Sequence, residues 1–387
     1  MTLTVFVVLA AAVCVFAASL FFILPELIER RVNRVRQRAP YTASEAAQAL
    51  HATLEIADLH ADSLLWGRSL LKRSARGHVD VPRLIEGRVA LQVFSMPTQI
   101  PHRIEINHAD PDSDVTLRLA LSQRWPFSTW RSKTARALYH AERLHQMAES
   151  SHGKLDVIRT ANDLAAFLER KHETPEIIAG LLAIEGAHAL DGDLSNIDVL
   201  FDAGYRMMAP THFTDNDIGG SSAGVEKIGL TEKGREMIRR MEAKRMIVDL
   251  AHASAKTIQD VLGMATKAVL VSHTGVRGTA DNNRNLSDEE VRGVARTGGL
   301  IGIGYWKTAS GGDDAEAVAQ AIRYAANLVG AEHIALGSDF DGGVAEPFDT
   351  TGLVRITAAL LAAGFTNEEI RLIMGENVLR FLRQNLP

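Results

Sequence analysis

The sequence predicts an α/β protein, a closed (β/α)8 TIM barrel preceded by an N-terminal transmembrane helix. Three observations carry that expectation. Eight short apolar runs rich in β-branched residues alternate with helical patterns from Ile56 to Asp339. Strands and helices alternating at that pitch form a parallel sheet, and eight such units suit a closed barrel. Metal-ligand-type side chains recur at the C-terminal ends of these runs, where barrel sites are built. Finally, Met1 to Pro25 contain no charged side chain, and Thr4 to Leu24 are almost wholly apolar.

The apolar N-terminal stretch matches a bilayer hydrocarbon core of roughly 30 Å at about 1.5 Å per helical residue. A cleaved signal peptide would place positive charge before the apolar run and a small-x-small site after it. Here Arg30, Arg31, Arg34, Arg36 and Arg38 all follow it. An uncleaved anchor over residues 1–25 is therefore expected. The flanking arginines favour a catalytic domain facing the cytoplasm rather than the periplasm. Residues 26–54 read as a basic, helical connector, and residues 55–387 as the barrel domain.

The expected strands are Ile56–Asp62, Val89–Met96, Ile178–Gly186, Tyr205–Thr211, Met246–His252, Ala268–His273, Leu300–Trp306 and Ile334–Asp339. Helical patterns fall at Thr134–Ala148, Ala161–Arg170, Glu232–Lys244, Ala255–Leu262, Asp288–Arg296, Ala315–Val329 and Asn367–Gln384. A doubly wound open sheet is the competing architecture. Asp62-Ser-Leu-Leu-Trp66 after the first strand is bulky where a dinucleotide loop needs glycine. Two long loops, Pro97 to Lys133 with Trp125 and Trp130, and Phe213 to Lys227, sit where they would shape a substrate mouth.

Bulk composition narrows the chemistry. The 387 residues are 46% hydrophobic with a net charge of -5, so nothing favours nucleic-acid binding. A single cysteine, Cys14, rules out a disulfide framework and a thiolate cluster. A metal site must then use His, Asp and Glu. Strand alternation puts Asp58, His60 and Asp62 on one side of the first strand, and burying three such groups is costly without a partner. Glu185 ends the third strand, His212 follows the fourth, His252 and His273 end the fifth and sixth, and Asp339 and Asp341 follow the eighth. Imidazole and carboxylate donors suit zinc, and a carboxylate can bridge two ions that share a hydroxide. Asp58 and Asp249 read as structural or ligand-orienting groups. His51, His78, His102, His108, His140, His145, His152, His172, His188 and His333 lack strand-end placement and read as surface or packing residues.

In order along the chain stand Asp58-Leu-His-Ala-Asp62, Ala183-Ile-Glu-Gly186, Thr211-His212 and Asp249-Leu-Ala-His252. They are followed by Val271-Ser-His273, Arg284-Asn285, Gly337-Ser-Asp-Phe-Asp-Gly342 and Gly375-Glu-Asn-Val-Leu-Arg380. With this ordered set the chain resembles the membrane (renal-type) dipeptidases, metallopeptidases of the amidohydrolase-type barrel group. The resemblance implies two Zn2+ per chain, with His60 and Asp62 on one, His252 and His273 on the other, and Glu185 bridging. It implies hydrolysis of small dipeptides by a metal-bridging hydroxide. Asp339 would handle the proton, with Asp341 the competing carboxylate; His212 would meet the scissile carbonyl, and Arg284 the substrate's C-terminal carboxylate. A homodimer is also implied. The mammalian members carry a C-terminal lipid anchor and disulfides, whereas an N-terminal anchor is expected here, as in a bacterial inner-membrane form. The alternatives are hydrolysis of lactones, β-lactams or N-acyl amino acids on the same metals, and a catalytically silent, membrane-tethered homologue. No G-x-S-x-G elbow supports a serine hydrolase.

Overall fold

The computed structural model describes residues 3–111 and 113–387. Met1 and Thr2 of the expected anchor, and Asp112 of the long loop, lie outside the described residues. Eight parallel strands form the scaffold: β1 (Ile56–Ala61), β2 (Val89–Pro97), β3 (Ile178–Glu185) and β4 (Tyr205–Met208), then β5 (Ile247–Val248), β6 (Leu270–Thr274), β7 (Leu300–Ile303) and β8 (Ile334–Leu336). Their pairing follows chain order from β1 to β5 on one side and from β1 through β8 and β7 to β6 on the other. The ends meet where Asp249 bridges to Leu270 and the Leu250 N–H donates to the Leu270 carbonyl at 2.8 Å. The expected (β/α)8 barrel is thereby closed, and the open doubly wound sheet is excluded. A short additional strand, Leu155–Val157, pairs with β3.

Four strands, β4, β5, β7 and β8, stop three or more residues short of their expected ends, and for two of them the cause is local. β4 stops at Met208, just ahead of Pro210, which has no N–H to donate to a ladder. β5 stops at Val248 because the Asp249 carboxylate takes over the pairing, accepting from the Ala251 and Ser272 N–H groups at 3.0 and 2.9 Å. Neighbouring strand residues feed two apolar cores. Leu59, Val93 and Leu181 pack with Phe381 of the C-terminal helix, while Ile56, Phe94 and Leu182 pack with the flanking helices. The expected helix at 367–384 is a continuous helical run, Asn367–Asn385, with one wider turn at Leu372–Glu376. At that turn Gly375 lies against the Glu55 carbonyl, so closely that no Cβ would fit.

The N-terminal helix α1 spans Leu3–Val32 and passes through Pro25 without ending at the expected boundary. At 1.5 Å per residue it is about 45 Å long, more than a bilayer core requires. Its apolar window has a mean hydropathy of 2.9 and is not covered by the rest of the chain. The connector is helical only at its two ends, in α1 and in α2 (Glu45–His51). Between them the chain is non-helical, with several bends and one β-bridge from Val35 to Glu346. There Arg36 and Gln37 N–H groups donate to the carbonyls of Glu346 and Pro347 at 2.9 and 3.0 Å, which removes them from any helix.

The turn after β8 is held by one buried carboxylate. Asp341 accepts from the Ser63 hydroxyl and the His78 N–H, each at 2.6 Å, and pairs with Arg68. Its own N–H donates to His78 Nδ1 at 3.0 Å, and the Trp66 indole donates to its carbonyl at 2.8 Å. Arg68 in turn donates to Glu29 of α1 at 2.6 Å. Burial alone would raise the Asp341 carboxyl, but Arg68 and His78 hold it well below the usual carboxylate range. Removing one partner of a buried pair leaves an uncompensated charge, so Asp341→Ala should cost on the order of 3 kcal/mol of stability. Because the folded carboxyl ionises below its ordinary 3.8, that stabilisation is present above about pH 4 and fades only below it. Thermal melts across pH check this: parent and variant should differ at neutral pH and converge in acid.

Candidate metal centre

The expected ligands are brought to the C-terminal mouth of the barrel by β1, β3, β5 and β6, His60 and Asp62 both by β1, and the backbone at this mouth is specialised. His252, Asp339 and Asp341 all adopt left-handed φ values of 63°, 63° and 64°. Non-glycine residues take that conformation only at a cost, and it is characteristic of sites where side-chain direction matters more than local stability. In each case it turns the chain sharply just beyond a strand.

Glu185 is the hub. Its Oε1 lies 2.8 Å from His252 Nε2, 3.2 Å from His273 Nε2 and 3.7 Å from His60 Nε2, while Oε2 lies 3.2 Å from His212 Nε2. His60 Nε2 is also 3.6 Å from Asp62 Oδ1 and 3.9 Å from Asp339 Oδ1. The rings of His60 and His273 lie with centroids 3.7 Å apart, tilted 36° to each other, and His252 and His273 approach Nε2 to Nε2 at 3.0 Å. The donor atoms fall into three overlapping groups: His60, Glu185 and His273; Glu185, His212 and His252; and His60, Asp62 and Asp339. Glu185 and His60 each belong to two of them. The structure thus brings together all seven of the expected residues His60, Asp62, Glu185, His212, His252, His273 and Asp339.

These residues fit divalent ions. Two donors on one tetrahedral ion at about 2.0–2.2 Å stand roughly 3.3–3.6 Å apart, and the separations found here, from 2.8 to 3.9 Å, bracket that value. Among the described residues, His60 Nε2, Asp62 Oδ1 and His252 Nδ1 are buried without a hydrogen-bond partner. Buried polar atoms left this way are expensive, and an ion would satisfy the first two. Burial keeps the imidazoles of His212, His252 and His273 well below their ordinary pKa, in the neutral form that ligates. Burial would do the same to His60, but the surrounding Glu185 and Asp62 carboxylates hold it up at about 10. Burial and then Asp62 raise Glu185, and burial also pushes Asp339 up to about 8, Asp62 adding to it. Three carboxylates crowded together with so little water call for positive charge.

The ligands are themselves oriented. Asp58 accepts from the His60 N–H at 3.0 Å, from Gln92 Nε2 at 3.1 Å and from the Ser338 hydroxyl at 3.1 Å, tying β1, β2 and β8 together. The Ser272 hydroxyl lies 2.9 Å from His273 Nδ1 and 3.3 Å from His60 Nδ1, touching the far side of both rings. Such outer partners fix the tautomer and ring direction of a ligating histidine. His212 Nδ1–H donates to the Gln99 carbonyl at 3.2 Å, which leaves Nε2 facing the centre. Arg284 stands beside the cluster, its Nη2 donating to the His273 carbonyl at 2.7 Å and its guanidinium 5.6 Å from the Trp306 ring centroid.

The two candidate proton-handling carboxylates separate clearly. Asp339 is partly accessible and faces His60, whereas Asp341 is fully buried with every oxygen partnered by Ser63, His78 or Arg68. Gln92, Ser272 and Ser338 support the cluster without having been expected to; Ser272 and Ser338 stand inside the Val271–His273 and Gly337–Gly342 motifs, but as hydroxyl residues between the candidate ligands, and no motif marks Gln92. His78 was expected among surface or packing residues, and it is buried, gripping the Asp341 turn. A cleft of about 620 Å³ opens over the centre, with Asp62, Glu185, His212, His252 and Asp339 in its floor. The long loop after β2 contributes Ile100, Ile104 and helix α3 (Thr116–Ser122) to its walls.

The chain was compared with known proteins. The profile of the membrane dipeptidase family, peptidase family M19, matches residues 44–386. Dipeptidase tcpJ of Claviceps purpurea is 28% identical over 318 residues, covering 80% of this chain and 69% of that protein. Dipeptidase aclJ of Aspergillus oryzae is 26% identical over 348 residues, covering 84% and 77%. Among solved structures, a metallo peptidase from Rhodobacter sphaeroides, liganded with a phosphinate mimic of L-Ala-D-Ala, superposes with a TM-score of 0.70 at 24% identity. The match spans 86% of this chain and 99% of that one. The probable dipeptidase PvdM of Pseudomonas aeruginosa gives 0.72 at 18% identity over 88% and 98%. At these identities the structural likeness establishes the fold. The family profile, spanning nearly the whole barrel domain, establishes more: the chain is a member of the membrane dipeptidase family of metallopeptidases, peptidase family M19.

Proposed function

We propose that the protein is a membrane-anchored, zinc-dependent dipeptidase acting on small dipeptides. The observation that carries this reading is the convergence of four imidazoles and three carboxylates around Glu185 at the floor of an open cleft. His60 and Asp62 would hold one ion, His252 and His273 the other, with Glu185 between them. Bound there, such ions supply a hydroxide at neutral pH and polarise a carbonyl.

The chain's own groups do the rest. Arg284 binds the C-terminal carboxylate of the substrate, for which a guanidinium is a planar two-point partner. The Nδ1–H bond of His212 to Gln99 orients its ring, so that Nε2 faces the position of the scissile carbonyl. Asp339 takes the proton of the attacking water and passes it to the departing amine. Residues 1–25 serve as the anchor, 26–54 as the connector and 55–387 as the hydrolase domain. Thr4 to Leu24 without a charge, and the arginines that follow, support a bacterial inner membrane with the barrel on the cytoplasmic side.

Metal analysis of the full chain purified in detergent should find about two zinc ions per chain, and chelation should abolish dipeptide hydrolysis, restored by added zinc. A panel containing dipeptides, a lactone, a β-lactam and N-acyl amino acids tests the substrate class; cleavage confined to the last three would replace the dipeptidase reading. Asp339→Asn should lower kcat by roughly 10²–10⁴-fold while metal content stays intact. Arg284→Met should raise KM for dipeptides strongly and that for substrates lacking a carboxylate little, as steady-state kinetics on both classes would reveal. Equal effects would remove Arg284 from the carboxylate role.

A further inference from the structure

The apolar helix that would anchor the chain also forms part of the cleft. Phe21, Leu24, Ile28 and Val32 fall at spacings of three and four residues, so they share one helical stripe. All four line the same cavity as Glu185, His212, His252 and Asp339. The opposite wall of that arm is also apolar, with Leu65, Ile100, Ile104, Val115 and Leu119.

The helix is fastened in this position by its neighbouring face. Pro25, Glu29 and Asn33, four residues apart, are all buried. Glu29 accepts from Arg68 Nε at 2.6 Å and also pairs with Arg76, and Asn33 accepts from the Gly343 N–H at 2.8 Å. Arg68 pairs in turn with Asp341, two residues from Asp339. The last turns of α1 are therefore joined to the loop that carries Asp339. They are also the turns just beyond the roughly 20 residues that a bilayer core takes up.

We infer that this end of α1 is a specificity-determining wall, and that it selects dipeptides whose amino-terminal residue has a large apolar side chain. The inference rests on the dipeptidase reading, in which Arg284 holds the carboxylate end. Arg284 and Trp306 lie outside the cavity that α1 lines, whereas Asp62, His212 and Asp339 lie within it. A dipeptide with its carboxylate at Arg284 and its scissile bond over Glu185 then directs its amino-terminal side chain into the arm between α1 and Leu119. The α1 residues that line the cavity are all uncharged, and on the loop side His102 and Arg118 stand among the apolar lining residues.

The full chain in lipid nanodiscs, loaded with zinc, tests this with three dipeptides: Phe-Ala, Ala-Phe and Ala-Ala. The parent should prefer Phe-Ala over both. In the double variant Leu24→Ser/Ile28→Ser, the kcat/KM preference for Phe-Ala over Ala-Phe should fall roughly tenfold, mainly through KM, as loss of an apolar pocket contact predicts. Ile28→Leu, which keeps the apolar surface, should retain the preference. An unchanged preference in the double variant, or no preference in the parent, overturns the inference and leaves the dipeptidase reading standing. A parent that cleaves none of the three overturns both.

Discussion

Three carboxylates and four imidazoles share one mouth of the barrel, and the rest of the structure answers to their electrostatics. Asp62, Glu185 and Asp339 stand within a few ångströms of His60, largely out of water, with Arg284 as the nearby permanent cation. Confined carboxylates repel one another and give up their solvation, so they demand either protons or cations. The upward pull on Glu185, Asp339 and His60 is that demand expressed in protons; a pair of divalent ions would answer it in metal. The donor spacing makes the second answer available, because Glu185 reaches histidines on both sides of itself.

A cluster of this kind exerts strain that the scaffold must absorb. His252 and Asp339 sit in left-handed backbone conformations just past the strands that present them. The compensation lies close by. Asp58 and Asp249 spend their carboxylates on backbone N–H groups of neighbouring strands, and Asp341 collects Ser63, His78 and Arg68. Four of the acidic residues near the barrel mouth, Asp58, Asp249, Asp341 and Glu29, thus hold geometry, whereas Asp62, Glu185 and Asp339 face the histidine cluster. Chemically identical side chains separate into two roles by what they touch.

The N-terminal helix joins these two themes. Its length and apolarity suit a bilayer, yet its last turns are clamped to the Asp339–Asp341 loop through Glu29, Arg68 and Asn33. Helix α1 and the Asp339–Asp341 loop are mechanically one unit. Whatever holds α1 in place also bears on the cleft wall and on the turn that presents Asp339.

Much of this was legible in the sequence because local patterns are local physics. Period-two alternation and strand-end polarity located all eight strands, and they placed His60, Asp62, Glu185, His212, His252, His273 and Asp339 at one end of the barrel. Resemblance to a family supplied the role of Arg284, which spacing alone could not. Other features depend on contacts between residues far apart in the chain. The premature ends of β4 and β5, the non-helical path of residues 33–44 and the choice between Asp339 and Asp341 were decided by partners such as Ser272, Glu346 and Arg68. Glu29 reads in the sequence as one more charge after an apolar run. Only the fold, by laying α1 across the barrel mouth, makes it a buried partner of Arg68, because a hydrogen bond spanning 39 residues leaves no periodic trace.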